Sequence, residues 1–301
     1  MRHPIVFSAA WMSGTLLSFA VMAIAARELS TDFGTFQILA IRSIIGLMII
    51  SALLSRAGWQ QLSLQNGRVH LARNVAHFCG QFGWFYAIAF IPLTAVFAIE
   101  FTVPLWTAIF AAMLLAERVS AARVLAIVLG IAGVMVILRP GLAVMHPAAL
   151  AMLGGAVAYG LSHTLTKKLA GRDTSLCILF YMTLIQLPLG LLPASLDWVT
   201  PTAAHWPWLI VVGVTGLTAH YSMVRALSLA DATVVIPMDF LRLPLIALVG
   251  YALYGERVEG FLAVGAALIV AGNLVNLVSE RKKQGLVARE GKVPSSALTR
   301  A

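Results

Sequence analysis

The sequence predicts an all-α integral membrane protein of ten transmembrane helices in two inverted five-helix repeats. Three observations predict it. The 301 residues are 60% hydrophobic and 11% charged, whereas a soluble domain carries roughly 25% charged residues. Residues 93–133 recur, shifted by 139 positions, as residues 232–272. Lys and Arg gather in alternate connections between the apolar segments.

The spans follow in order. A membrane-crossing helix needs about 20 mostly apolar residues. Ten such stretches run over 4–26, 33–55, 70–91, 94–115, 121–139, 147–169, 175–193, 206–229, 232–254 and 259–279. The basic-then-apolar start, MRHPIVFSAAWMSG, resembles a signal peptide, but nine further apolar segments make it a first span. The longest connection, about 56–69, holds RAGWQQLSLQNGR, and the polar tail from Glu280 onward reads as disordered. Cys79 and Cys177 both lie in apolar stretches and read as free thiols.

Charge placement sets the orientation. One side collects Arg2, Arg56, Arg68, Arg73, Arg118, Arg123, Lys167, Lys168, Arg172 and six tail residues, fifteen of the 21 Lys and Arg. The other side holds Arg27, Arg139 and Arg257, and Arg42, Arg225 and Arg242 fall inside spans. Positive loops stay inside, so both termini are expected in the cytoplasm of a plasma (bacterial inner) membrane. The net charge of +9 is thus a topology signal, with some attraction to membrane lipid, and not a nucleic-acid signal.

The repeat aligns Thr94 with Thr233, Phe101 with Phe240, Glu117-Arg118-Val119 with Glu256-Arg257-Val258, and Gly133 with Gly272. One intramembrane acid, Glu100, falls on another, Asp239. Five spans per copy is an odd number, so the second copy enters the membrane from the opposite face. The expected units are 1–140, 141–280 and a basic cytoplasmic tail over 281–301.

Ten spans in two copies, with Ala116-Glu117-Arg118 and Gly255-Glu256-Arg257 closing the fourth span of each, resemble the EamA-type drug/metabolite transporters. Each motif is followed by a Gly-containing span, GIAGVMVI and GAALIVAGN. The resemblance covers about residues 4–279. It implies a small organic substrate and a central cavity lined by the first four spans of each half. Two patterns of the wider superfamily are missing. The first span has no Glu, and the last span has Asn273 and Asn276 but no Lys or Arg in its body.

An ionisable side chain at mid-bilayer costs about 2.5–3.5 kcal/mol and marks function by default. The candidates are Arg42, Glu100, Arg225, Asp239 and Arg242. Asp239 and Arg242 share a helix face at i,i+3. Val103 stands where Glu100 would need the same partner, so Arg42 or Arg225 is the expected counter-charge for Glu100. Three arginines against two acids favour a carboxylate-bearing substrate, because guanidinium grips carboxylate in a planar fork. Arg42, Arg225 and Arg242 are therefore expected to include that clamp. Pro104, Pro237 and Pro244 interrupt spans 4 and 9 beside the acids and read as hinges with freed carbonyls; simple kinks are the alternative.

Four polar-aromatic stripes complete the set. They are His77, Gly80, Gln81 and Trp84 on span 3, Tyr159, Ser162, His163 and Thr166 on span 6, Trp11, Thr15 and Ser18 on span 1, and Thr218, Tyr221 and Arg225 on span 8. Each suits either a cavity wall or helix–helix glue; two stripes per half favour a shared cavity. Ala126-x3-Gly130 and Ala267-x3-Ala271 read as a packing seam between spans 5 and 10. Glu117-Arg118 and Glu256-Arg257 read as caps. No Cys/His/Asp spacing suggests a metal, and no cofactor is expected.

The expected function is secondary active transport, in either direction, of a small amino-acid-like or otherwise carboxylate-bearing metabolite. Alternatives are facilitated movement of a vitamin or nucleoside-type compound, or flipping of a lipid-linked substrate. No enzymatic motif is present. Glu100 is the candidate proton carrier, and the protein is expected to be a monomer or homodimer.

Overall fold

The computed structural model describes residues 3–115, 121–138, 146–170, 172–229 and 238–290. The described residues are helical or in short connections, with no strand among them. Helix α1 (His3–Leu29) and α2 (Thr35–Ala57) precede a short 3-10 turn, Trp59–Gln61. Then come α3 (Gly67–Phe90), α4 (Leu93–Glu100), α5 (Val103–Leu115) and α6 (Ala121–Leu138). The second half holds α7 (Pro147–Ala170), α8 (Ser175–Ala194), α9 (Trp206–Leu229), α10 (Arg242–Tyr254) and α11 (Gly260–Glu290).

Among these residues, seven helical segments are long and apolar enough to cross a membrane. The helices α3 and α9 have the length but are diluted by polar residues such as His77, Gln81, Thr218 and His220. The shorter α10 is an apolar segment that follows a break. Contrary to the expectation of a disordered tail from residue 280, α11 continues to Glu290. The first tail residues, Glu280-Arg281-Lys282-Lys283-Gln284, are all good helix formers.

The two breaks fall at equivalent places. Phe101-Thr102 separates α4 from α5, and Phe240-Leu241 precedes α10; both pairs lie at the same position in the 139-residue repeat. The expectation placed a freed carbonyl at Glu100. A side chain recruits the neighbouring carbonyl, that of Phe101, which accepts from Asn273 Nδ2 at 2.7 Å. Phe240 O is taken up locally by Leu243 N at 3.2 Å. Pro237 lies outside the described residues.

The most extensive packing runs between the halves: α1 on α9, α3 on α7, α6 on α11 and α2 on α8. Small residues permit it. A Cβ at Gly133 would lie 2.6 Å from the Gly265 carbonyl oxygen, and one at Gly272 would lie 2.8 Å from that of Ala126. These contacts are mates under the 139-residue shift. The seam therefore uses Ala126 and Gly133, whereas Gly130 faces Leu105 of its own half.

One end of the bundle is tied by Glu256. Its Oε1 pairs with Arg27 Nη2 at 3.1 Å. Its Oε2 accepts from Leu93 N at 2.9 Å and so caps the start of α4. Arg27 also donates to the Ile91 carbonyl at 2.7 Å. Nearby, Tyr254 donates to Glu28 at 2.9 Å, and the Gln37 side-chain amide bonds both backbone groups of Val199. The capping expectation for Glu256 thus gains a partner in the other half; Glu117 and Arg118 lie outside the described residues.

Removing this tie should be measurable. Glu256→Ala deletes the cap and leaves Arg27 without its ion-pair partner, with an expected loss of about 1–3 kcal/mol. Glu256→Gln keeps an acceptor for Leu93 N–H and should lose less. Thermal unfolding of the purified protein in detergent ranks the two; equal midpoints for Glu256→Ala and the parent would remove the tie from the account.

Candidate functional site

The site is built on the two breaks. Packing of α4 against α10 brings Glu100 to the start of α10, beside Arg242 and the repeat-equivalent acid Asp239. Two acids would then face each other in a medium of low polarity. Arg242 resolves this. Its Nη2 lies 3.2 Å from Asp239 Oδ2 and its Nη1 lies 3.4 Å from Glu100 Oε1. The guanidinium carbon also sits 4.5 Å from the Phe19 ring centre, 5.0 Å from Phe101 and 5.2 Å from Phe97. Aromatic faces of this kind stabilise a desolvated cation. Trp84 Nε1 donates to Glu100 Oε2 at 2.8 Å, so both oxygens of that carboxylate are engaged.

This corrects the sequence-based pairing. The counter-charge of Glu100 is Arg242, not Arg42 or Arg225. It comes across the interface between halves, which no within-helix spacing reveals. It also removes Arg242 as a free carboxylate clamp, since its two terminal nitrogens are committed.

A cavity of about 570 Å³ opens beside this triad. Arg42, His77, Gln81 and Trp84 line it from the first half, joined by Glu100 and Pro104. Tyr159, His163, Asp239 and Arg242 line it from the second. From the breaks it extends along α5 and α7 past Thr107, Ala111 and Thr164 to Arg123 and Lys167. Charge counting places Arg123 and Lys167 on the side of the termini and gives them no part in the cavity. Lys167 follows His163 by four residues and extends the Tyr159–His163 face of α7, whereas Arg123 lies on no stripe and only the packing of α6 reveals it as a wall residue. His220 also joins the lining, beside Phe19.

Arg42 is the notable cation. It forms no ion pair or hydrogen bond among the described residues, and its Nε is buried without a partner. It rests on α9 where Gly216 leaves room: a Cβ there would lie 2.6 Å from Arg42 Nη2. Glycine plays the same part at Gly80, where a Cβ would lie 2.6 Å from the Tyr159 ring. Tyr159 stacks with His163 at 6.2 Å and meets His77 edge-on at 5.4 Å. Gln186 Nε2 donates to His77 Nδ1 at 2.9 Å, which leaves Nε2–H as the donor of that ring. Asp239 Oδ1 is buried and unpartnered. The cavity thus offers a spare guanidinium, a spare carboxylate oxygen and a wall of stacked rings.

Two of the four polar stripes serve elsewhere. Ser8 bonds the Ala226 carbonyl at 2.9 Å, and Ser18 meets Thr218 at 3.1 Å, so α1 and α9 use their polar groups as glue. Tyr221, 59% exposed, sits edge-on to Trp11 at 5.8 Å, and Arg225 lies 5.6 Å from the same ring. Neither Tyr221 nor Arg225 is among the lining residues. Pro244 is exposed on α10 and lies outside the lining.

The chain matches the EamA-like transporter family over residues 6–139 and again over 146–278. It belongs to that family. It is 25% identical over 272 residues to the S-adenosylmethionine uptake transporter of Rickettsia prowazekii, covering 90% of this chain and 92% of that one. It is 31% identical over 275 residues to the riboflavin transporter of Vibrio cholerae, with the same 90% and 92% coverage. A pseudopaline exporter of Pseudomonas aeruginosa is 29% identical over 271 residues, 86% of this chain and 93% of that one. A crystal structure with 22% identity superposes with a TM-score of 0.63, covering 91% of this chain and 98% of its own. The fold is therefore one already observed, and the protein is a small-molecule transporter of the membrane, not an enzyme.

The triad makes a sharp prediction. Arg242→Met leaves two buried acids without a cation and should destabilise the protein by about 3–5 kcal/mol. Combining it with Glu100→Gln and Asp239→Asn should recover most of that loss. Gel filtration and thermal unfolding in detergent compare the single and triple variants; a stable single variant would show that Arg242 does not hold the acids.

Proposed function

We propose that this protein is a secondary transporter of a small carboxylate-bearing metabolite, amino-acid-like in its polar groups, with Arg42 as the carboxylate clamp. The observation that carries this reading is the unpaired Arg42 guanidinium in the wall of the cavity between the halves. A guanidinium is costly to hold near mid-membrane without a partner, and a carboxylate offers two acceptors in matching geometry. The zwitterionic character of the substrate is supported by Asp239 Oδ1, a spare acceptor for an ammonium group.

The transport cycle we infer is alternating access by ten spans in two inverted repeats. In span numbers the four most extensive packings are 1 on 8, 3 on 6, 5 on 10 and 2 on 7. Adding five to each number of the first half, and subtracting five from each of the second, returns the same set. That exchange symmetry supports a twofold axis relating units 1–140 and 141–280. Charge placement supports cytoplasmic termini in a bacterial inner membrane. The cavity then extends toward the cytoplasm, while the Glu256–Arg27 tie closes the opposite end. Glu100 is the proposed site of proton uptake, with Arg242 left to Asp239 when Glu100 is neutral.

A second reading has its own observation. The Tyr159–His163 stack suits a planar heteroaromatic ring, and two of the relatives are named for riboflavin and S-adenosylmethionine. Under that reading the ring, not the carboxylate, dominates recognition.

Flux in proteoliposomes separates these. Arg42→Lys retains charge but loses the fork; the half-saturation concentration of an amino-acid or other carboxylate substrate should rise roughly tenfold, the loss of about 1.4 kcal/mol expected for part of a charge-assisted pair. Gly216→Val displaces Arg42 and should act in the same direction. If Arg42→Lys transports carboxylates normally while Tyr159→Ala abolishes movement of ring-bearing substrates, the second reading stands instead.

Coupling has its own test. Glu100→Gln should abolish accumulation driven by an imposed pH gradient yet retain substrate exchange. A parent protein whose flux ignores the pH gradient would leave facilitated diffusion as the mechanism.

A further inference from the structure

Away from the cavity, the fold gathers three metal-ligand side chains that no sequence spacing announces. His70 lies in the first turn of α3. Asp173 belongs to the turn after α7, and Cys177 to the first turn of α8. One ligand atom from each, nitrogen, oxygen and sulfur, lies within 4.8 Å of the other two. The side chains of His70 and Asp173 are 1% and 2% exposed, and Cys177 is fully buried. His70 Nε2 is 3.1 Å from Asp173 Oδ2, and Asn66 Nδ2 donates to the same oxygen at 3.0 Å. The second nitrogen of His70, Nδ1, is buried with no hydrogen-bond partner.

We propose that His70, Asp173 and Cys177 bind a divalent transition-metal ion of the zinc class, which staples α3 to the start of α8. Zinc takes these three donor types, with bonds of about 2.0–2.2 Å to nitrogen and oxygen and about 2.3 Å to sulfur. Tetrahedral edges of about 3.3–3.6 Å follow from those lengths. The observed nitrogen–oxygen separation of 3.1 Å is already near such an edge. The sulfur needs to approach by no more than about 1.3 Å, within reach of a cysteine rotation. Three protein ligands leave a fourth position for water.

The charges also fit. On binding, the thiol releases its proton to solvent, so thiolate and carboxylate together neutralise the dication. The sulfur sits in the first turn of α8, and Thr174 Oγ1 fixes that terminus by accepting from Cys177 N at 3.2 Å. One carboxylate and no carbonyl cage make a poor site for calcium or magnesium, which want several oxygens. A bare His–Asp hydrogen bond would explain two of the three residues but not the buried thiol gathered beside them, which the Ser63 backbone also meets. The staple joins the first half to the second at the end where Arg73 Nε donates to Thr166 at 3.0 Å. Metal binding would hold that end together, independently of which substrate the cavity takes.

Cobalt is the probe, on purified full-length chain in detergent. Cys79, the other free thiol and an exposed one, is replaced by Ser throughout. After chelator treatment, Co²⁺ should produce a thiolate-to-cobalt charge-transfer band and tetrahedral visible bands that saturate at one equivalent. Zn²⁺ should erase both. Cys177→Ser should remove the charge-transfer band, and His70→Gln and Asp173→Asn should weaken binding at least tenfold. Circular dichroism and gel filtration check that each variant folds. A variant-free measurement covers the case where Cys177→Ser does not: X-ray absorption of the zinc-loaded parent should show one sulfur at about 2.3 Å. Absence of any charge-transfer band in the folded parent, its persistence in Cys177→Ser, or a zinc shell without sulfur would each overturn the site.

Discussion

Arg242 is the constraint on which the rest of the site depends. A repeat that carries an acid at the same place in each copy brings Glu100 and Asp239 close when its broken spans pack. Each charge costs about 2.5–3.5 kcal/mol to place at mid-bilayer. One guanidinium within 3.2 and 3.4 Å of the two carboxylates returns about 4 kcal/mol per contact at an intermediate dielectric. The two contacts therefore offset much of the placement cost of the three charges, and only while all three groups stay together. The scaffold is a repeat, but the charge that stabilises it is asymmetric: Val103 stands where a second arginine would be.

Close helix contact supplies the frame around that triad. Lipid offers no hydrophobic drive between apolar helices, so van der Waals packing and hydrogen bonds hold them. Gly133 against Gly265 and Gly272 against Ala126 let α6 and α11 approach to backbone contact. The same device, used once more at Gly80 and Gly216, does something different. There the missing side chains admit Tyr159 and Arg42, and the space becomes a cavity wall. Packing and recognition thus draw on one property of glycine, and position alone separates the two uses.

The polar helices divide along similar lines. Hydroxyls of α1 and α9 find backbone carbonyls and one another across the seam, which explains why two apparently similar stripes hold helices together. His77 and Trp84 on α3 are also fixed, by Gln186 and Glu100, yet keep a face toward the cavity. A hydrogen-bonded residue is therefore not excluded from the site; what matters is whether its remaining donors or rings face open space. Arg42 meets that condition most fully.

The sequence by itself determined the helical membrane class, the two copies, the equivalent acids and the breaks beside them, because hydropathy, spacing and proline act locally along the chain. It also marked Arg42, His77, Gln81, Trp84, Tyr159 and His163, each a polar or aromatic residue on an otherwise apolar helix. Only the tertiary structure decided the partners. Arg242 rather than Arg42 or Arg225 neutralises Glu100, Tyr221 and Arg225 turn to the α1–α9 seam, and Arg123 and Lys167 reach the cavity wall. His70, Asp173 and Cys177 meet although about a hundred residues separate the first from the others. The physical reason is common to all four. A stripe or a spacing fixes which face of a helix a side chain occupies, but the neighbour it meets is set by helix-to-helix approach across the two halves, and that approach is governed by small residues far from it in sequence.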